Sequence, residues 1–159
     1  MKYITRSSEE TASFGFLLGK HLLPGDTVLL YGDLGSGKSV LARGCAKALG
    51  VDGSMASPTF TLMQPYRGEH FPVYHFDLYR LSDADELYFA GLDEHIGGDG
   101  VALIEWPQQA DVCPGKRVEI DFERGIDPET RLIEMNLIGM DGREEEIFVD
   151  LREFQTETI

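Results

Sequence analysis

The sequence predicts an α/β domain in which a mostly parallel central sheet carries antiparallel strands at its edges. Three observations predict it. Two short, almost wholly apolar runs, DTVLLY (26–31) and GVALIEW (100–106), have the length and composition of buried central strands. A glycine-rich turn and a helix-forming segment follow the first run directly, as in a parallel sheet with helices on its faces. Two further pairs of strand-like segments, one in the middle of the chain and one late, supply the antiparallel edges.

The elements follow in order. In SSEETASFGFLLGKHLLPG, Ser7 and Glu10 stand at capping-box spacing, and apolar residues then recur every three and four positions. That is a helix, ended by Pro24-Gly25. DTVLLY is a buried strand between turn signals, and KSVLARGCAKALG is a helix with Gly50 as its terminator. FTLMQPY and FPVYHFDLY carry aromatic and β-branched character on either side of the turn RGEH and read as a hairpin. Pro65 and Pro72 belong near its edges, because proline cannot donate to a ladder. SDADELYFAG has Ser82 three residues before Asp85 and starts another helix, closed by Gly91. GVALIEW is a central strand beside the first. RVEIDFE and RLIEMNLI are two late strands joined by RGIDPET, and the tail REEEIFVDLREFQTETI reads as a short strand or helix. With no repeat or low-complexity linker in sight, residues 1–159 are expected to form one domain.

Composition narrows the partners. Of 159 residues, 28 are acidic and 14 basic, a formal net charge of −14. So acidic a chain gains no affinity for nucleic acid or anionic membrane from its overall field. If it serves an RNA pathway, other subunits hold the RNA. Its two cysteines, Cys45 and Cys113, form no CxxC pair and are expected to be free thiols in a reducing cytoplasm. The start, MKYITRSSEE, lacks an apolar signal region, and no run approaches the ~18 apolar residues of a membrane helix. The expected location is the cytoplasm.

The chemistry begins at Gly32-Asp33-Leu34-Gly35-Ser36-Gly37-Lys38-Ser39, which fits G-x-x-x-x-G-K-[ST]. Glycines let backbone N–H groups turn toward phosphate oxygens, and Lys38 faces the β- and γ-phosphates with its charge. Ser39 offers a hydroxyl to Mg²⁺, and the helix that starts here points its positive end at the anion. Gly35, Ser36, Gly37, Lys38, Ser39 and Val40 are therefore the expected nucleotide-binding residues. The pattern sits between a predicted buried strand and a helix, the context its mechanism requires.

A magnesium–nucleotide site also needs a carboxylate at the end of a neighbouring strand. Val101-Ala102-Leu103-Ile104-Glu105 is four apolar residues ending in an acid, and Val73-Tyr74-His75-Phe76-Asp77 is a more mixed version. Glu105 takes the metal role, directly or through water, because its strand is the more apolar. Asp77 falls to the γ-phosphate side, orienting water or the hydration shell of the metal. In SPTFTL (57–62), Thr59 and Thr61 are candidates to sense the γ-phosphate, against the plainer reading of a half-buried strand. His75 reads as a packed residue, and Trp106 as either core filling or a partner contact. The guanine signature N/T-K-x-D occurs nowhere, which favours ATP over GTP.

GDLGSGKS, SPTFTL, YHFDLYRL and LIEWPQQ, in this order and at these intervals, resemble the TsaE (YjeE) family from about residue 5 to residue 122. HFDLYRL together with EWPQQ is far more specific than the phosphate loop alone. The resemblance implies a compact phosphate-loop (P-loop) ATPase fold and a task. Members of this family hydrolyse ATP in the machinery that forms threonylcarbamoyladenosine in tRNA. They assemble with TsaD and TsaB and reset that pair between turnovers, while TsaD performs the transfer itself. By motif the family's magnesium ligands fall on Ser39 and Glu105, and its functional aspartate on Asp77. An N-terminal contact to the nucleotide would fall around Ser7 to Glu9, and a late arginine would be Arg124 or Arg131.

The rival reading is a small-molecule kinase. It would want several arginines on a closing lid, and none cluster between residues 82 and 116. A non-catalytic nucleotide-binding adaptor is disfavoured by the complete set Lys38, Ser39, Asp77 and Glu105. No motif places an arginine to act on the nucleotide in cis; Arg43, one turn past Ser39, is expected to face away, and Arg80 to be structural. Turnover by the lone chain is accordingly expected to be weak.

Overall fold

The computed structural model describes residues 1–156 apart from 57 and 59. Its centre is one seven-stranded sheet. The strands are β1 (Lys2–Thr5), β2 (Thr27–Tyr31), β3 (Met63–Arg67), β4 (Pro72–Asp77), β5 (Val101–Glu105), β6 (Arg117–Arg124) and β7 (Arg131–Ile138). They lie in the order β1-β7-β6-β2-β5-β4-β3. From β6 through β2 and β5 to β4 the pairing is parallel. The β6–β7, β7–β1 and β3–β4 pairs are antiparallel. This is the α/β phosphate-loop architecture expected from the sequence, with Pro65 on the outermost strand, where a missing N–H costs no ladder bond.

The two apolar runs occupy the middle because only a strand covered on both faces can be apolar on both. Every residue of β5 is buried, as is every residue of β2 except Tyr31. Their side chains split by the two-residue period of a strand. Val28, Leu30 and Leu103 join one core with Phe14, Leu18 and Leu41; Leu29, Ala102 and Ile104 join the other with Phe76 and Leu87.

The first core is roofed by α1 (Ser8–Gly19) and α2 (Lys38–Ala48). The capping box forms as the sequence predicts. Ser7 Oγ accepts from the Glu10 amide at 3.1 Å, and Glu10 Oε2 accepts from the Arg6 amide at 2.6 Å. Helix α1 stops at Gly19, and the chain turns through His21 and Leu22 instead of staying helical to Pro24. The two helices approach closely through glycines. A Cβ at Gly15 would overlap the carbonyl oxygen of Leu41, and one at Gly44 that of Ala12. This close contact seats the start of α2, and with it the phosphate loop, against the sheet.

Two other segments differ from the sequence reading. Strand β1 carries no sequence signal, because four residues are too few to display a period. The helix after residue 82 is only α3 (Asp85–Phe89), and Asp83 serves its start by accepting from the Asp85 amide at 2.9 Å. Ser82 instead donates to the Glu86 carboxylate.

The tail resolves as helix α4 (Glu144–Leu151) and a 3₁₀ turn, Arg152–Phe154. Ile147 and Leu151 are buried, and the Phe154 ring meets Phe14 edge-on at 5.7 Å. A bidentate pair from Arg143 to the buried Asp26 (2.6 and 3.0 Å) ties this segment to the start of β2. Cys45 is buried and Cys113 exposed, and both are free thiols. Burial pushes the Cys45 thiol up to about 12, which makes it inert at neutral pH. Among the described residues no helix is long and apolar enough to cross a membrane.

Candidate nucleotide site

The parallel strands β2, β4 and β5 end at the same edge of the sheet, where ligands of such folds bind. The register places Asp77 opposite Glu105, and Glu105 opposite Leu30, so both acids flank the exit from β2 into the glycine turn. A cleft of about 560 Å³ opens there. All eight predicted site residues line it: Gly35, Ser36, Gly37, Lys38, Ser39, Val40, Asp77 and Glu105.

The turn is built by backbone that other residues avoid. Gly37 has φ +112° and Gly35 φ +72°. Gly37 is the N-cap of α2, and among the described residues no side chain caps that helix, in contrast to α1. The first-turn amides of α2 have no intrahelical partner and stand at the positive end of an 11-residue helix, an arrangement that favours an anion. Lys38 is buried, and its ammonium donates to the carbonyls of Gly32 and, at 2.9 Å, Asp33. It lies 4.0 Å from the centroid of the Trp106 ring. Burial pushes its pKa below the ordinary lysine value, and the carboxylates of Glu105, Asp77 and Asp33 oppose that shift.

Ser39 Oγ donates to Glu105 Oε1 at 2.8 Å. The other carboxylate oxygen, Oε2, lies 2.7 Å from His75 Nε2. Asp77 is half-buried, and its Oδ1 accepts from the Tyr79 amide at 3.1 Å. A hydroxyl and a carboxylate meeting beside free helix amides are hard oxygen donors, the kind Mg²⁺ takes when phosphates and water complete its shell. Among the described residues no three His, Cys, Asp or Glu side chains gather to hold a metal by themselves.

The family model for threonylcarbamoyl adenosine biosynthesis protein TsaE matches residues 5–133. The chain belongs to the TsaE family. Among curated members, TsaE of Bacillus subtilis is 38% identical over 133 residues, covering 83% of each chain. TsaE of Rickettsia bellii is 40% identical over 131 residues, covering 81% of this chain and 90% of its own. The crystal structure of Bacillus subtilis YdiB superposes with a TM-score of 0.75 at 33% identity, covering 96% of this chain and 94% of the other.

Within this TsaE-family chain the structure also locates the residues that the resemblance named only by region. Ser8 and Thr11 on α1 line the cleft, at the place where an N-terminal contact was expected. Both late arginines reach the phosphate loop: Arg124 donates to the Leu34 carbonyl and Arg131 to the Gly35 carbonyl at 3.2 Å. Of the two, Arg131 borders the cleft. Arg43, expected to face away, is exposed and borders both this cleft and a second one beside Lys47 and Asp52. It lies four residues after Ser39, hence on the same side of α2, and lines the cleft. Arg80 lines it as well, stacked 5.1 Å over Phe60. Trp106 does more than fill core, closing over Lys38 and packing on Tyr79 at 4.9 Å. Thr59 lies outside the described residues, as does Ser57.

Proposed function

We propose that the cleft binds and hydrolyses Mg-ATP as the ATPase component of the machinery that forms threonylcarbamoyladenosine in tRNA. The observation that carries the reading is the convergence of Ser39 and Glu105, 2.8 Å apart, beside the uncapped start of α2 and the ammonium of Lys38. Gly35 to Val40 wrap the phosphates with backbone amides, and Lys38 neutralises the β- and γ-phosphate charge. Ser39 and Glu105 hold Mg²⁺, which when bound draws off the charge that builds on the phosphates during transfer. Asp77, level with Glu105 on the next strand, orients water on the γ-phosphate side.

The partners are TsaD and TsaB, with TsaD performing the transfer and this chain resetting the pair between turnovers in the cytoplasm. The tRNA is met only through that complex, in keeping with a net charge of −14.

Alone, the chain is a weak ATPase. Phosphoryl transfer wants a cation on the migrating group, yet of the arginines lining the cleft Arg131 and Arg80 are held by other groups, and Arg43 stands a full helical turn beyond Ser39. Arg131 donates to the carbonyls of Pro128, Thr130 and Gly35, and Arg80 stacks on Phe60. Turnover at saturating Mg-ATP is expected to rise ~10-fold or more when stoichiometric TsaD–TsaB is added, a small part of what a well-placed arginine supplies. Fast turnover by the lone chain, unmoved by the partners, would contradict the switch.

A further inference from the structure

His75 stands two residues before Asp77 on β4, and sequence reasoning gives it only a packing role. The structure turns its polar edge toward the site. The residue is 1% exposed, and Nε2 lies 2.7 Å from Glu105 Oε2. Glu105, itself 4% exposed, is thus held at both oxygens, by Ser39 from α2 and by His75 from the neighbouring strand.

The direction of the His75 bond follows from its surroundings. Nδ1 is buried and, among the described residues, has no hydrogen-bond partner. A proton on Nδ1 would bury an N–H without an acceptor and set the Nε2 lone pair against a carboxylate oxygen. The proton therefore sits on Nε2 and is donated to Oε2. A side chain needed only for volume gains nothing from this arrangement; a phenylalanine or leucine fills strand-core space without an orphan nitrogen.

We infer that His75 is a positioning residue for the magnesium–nucleotide site. Its Nε2–H fixes the rotamer of Glu105, so that Oε1 stays at the Ser39 hydroxyl and the two donors are presented together. This rests on the assignment of Ser39 and Glu105 as the magnesium donors. A ligating carboxylate whose outer hydrogen bond is removed keeps its charge but loses its orientation, which typically costs 10–100-fold in metal affinity.

The test is calorimetry of ATP binding in EDTA and in excess Mg²⁺, on wild type, His75→Phe and His75→Gln, with thermal unfolding as the check on folding. The amide of glutamine places a donor where Nε2 stood; phenylalanine has none. His75→Phe is expected to keep the EDTA affinity and to cut the gain from Mg²⁺ by ~10-fold or more, while His75→Gln keeps most of that gain. If His75→Phe does not fold, His75→Met takes its place as the variant without a donor. A full magnesium gain in the donor-less variant overturns the inference, and so does a glutamine variant that loses as much. A wild-type protein with no magnesium gain would overturn the metal assignment itself, and the role of His75 with it.

Discussion

Lys38→Ala is expected to weaken ATP binding by ~100-fold or more, since two charge-assisted contacts to phosphate are together worth about 3 kcal/mol. The fold should survive. Lys38 is buried, but its ammonium meets two loop carbonyls and the face of Trp106 and carries no tie between α1, α2 and the sheet. Water can satisfy those carbonyls once the side chain is shortened. The close packing of α1 on α2 lies farther along the helix, at Gly44 and Leu41, and is untouched. Calorimetry on a variant with unchanged unfolding temperature makes the measurement, and an undiminished affinity would refute the phosphate-loop assignment.

Glu105→Gln should bind nucleotide yet hydrolyse it ~100-fold more slowly or worse, a barrier increase of about 3 kcal/mol. The amide preserves size and a single acceptor oxygen, but removes the charge proposed to hold Mg²⁺. Its NH₂ group, if turned toward His75 Nε2–H, would set donor against donor, so the amide oxygen is drawn to that side and away from Ser39. Steady-state turnover over a magnesium titration separates the two acids. If Glu105→Gln hydrolyses normally and Asp77→Asn loses its magnesium requirement, their roles are reversed.

Much of this site is legible in the chain because the residues that carry it are local. The glycine turn, Lys38 and Ser39 are consecutive, and each acid is the last residue of an apolar run, so counting along a strand places it at the sheet edge. The topology of β2 beside β5 also follows from apolar composition, since no exposed strand tolerates it. What escapes is long-range or directional. Strand β1 exists because β7 offers it an edge, and nothing in KYIT announces that. Arg131, named beside Arg124 by family resemblance and by no local pattern, reaches the phosphate loop from 96 positions away in sequence, through the antiparallel turnback of β6 and β7. That Arg43 borders the cleft escapes for a different reason. The helical period puts it on the side of Ser39, and a period-based reading could have found it. His75 shows the limit most clearly. A histidine in an apolar strand reads as core until the neighbouring strand's register brings Glu105 within 2.7 Å of Nε2.

The central claim, that this chain's ATP cycle resets the TsaD–TsaB pair, is tested most directly by counting products per complex. Purified TsaD–TsaB is supplied with tRNA and the activated threonylcarbamoyl donor, and threonylcarbamoyladenosine is quantified over time. Without this chain, or with Lys38→Ala in its place, product should level off near one per complex; with wild type and Mg-ATP it should keep accumulating. Sustained accumulation in the absence of the chain, at the same rate, would contradict the account.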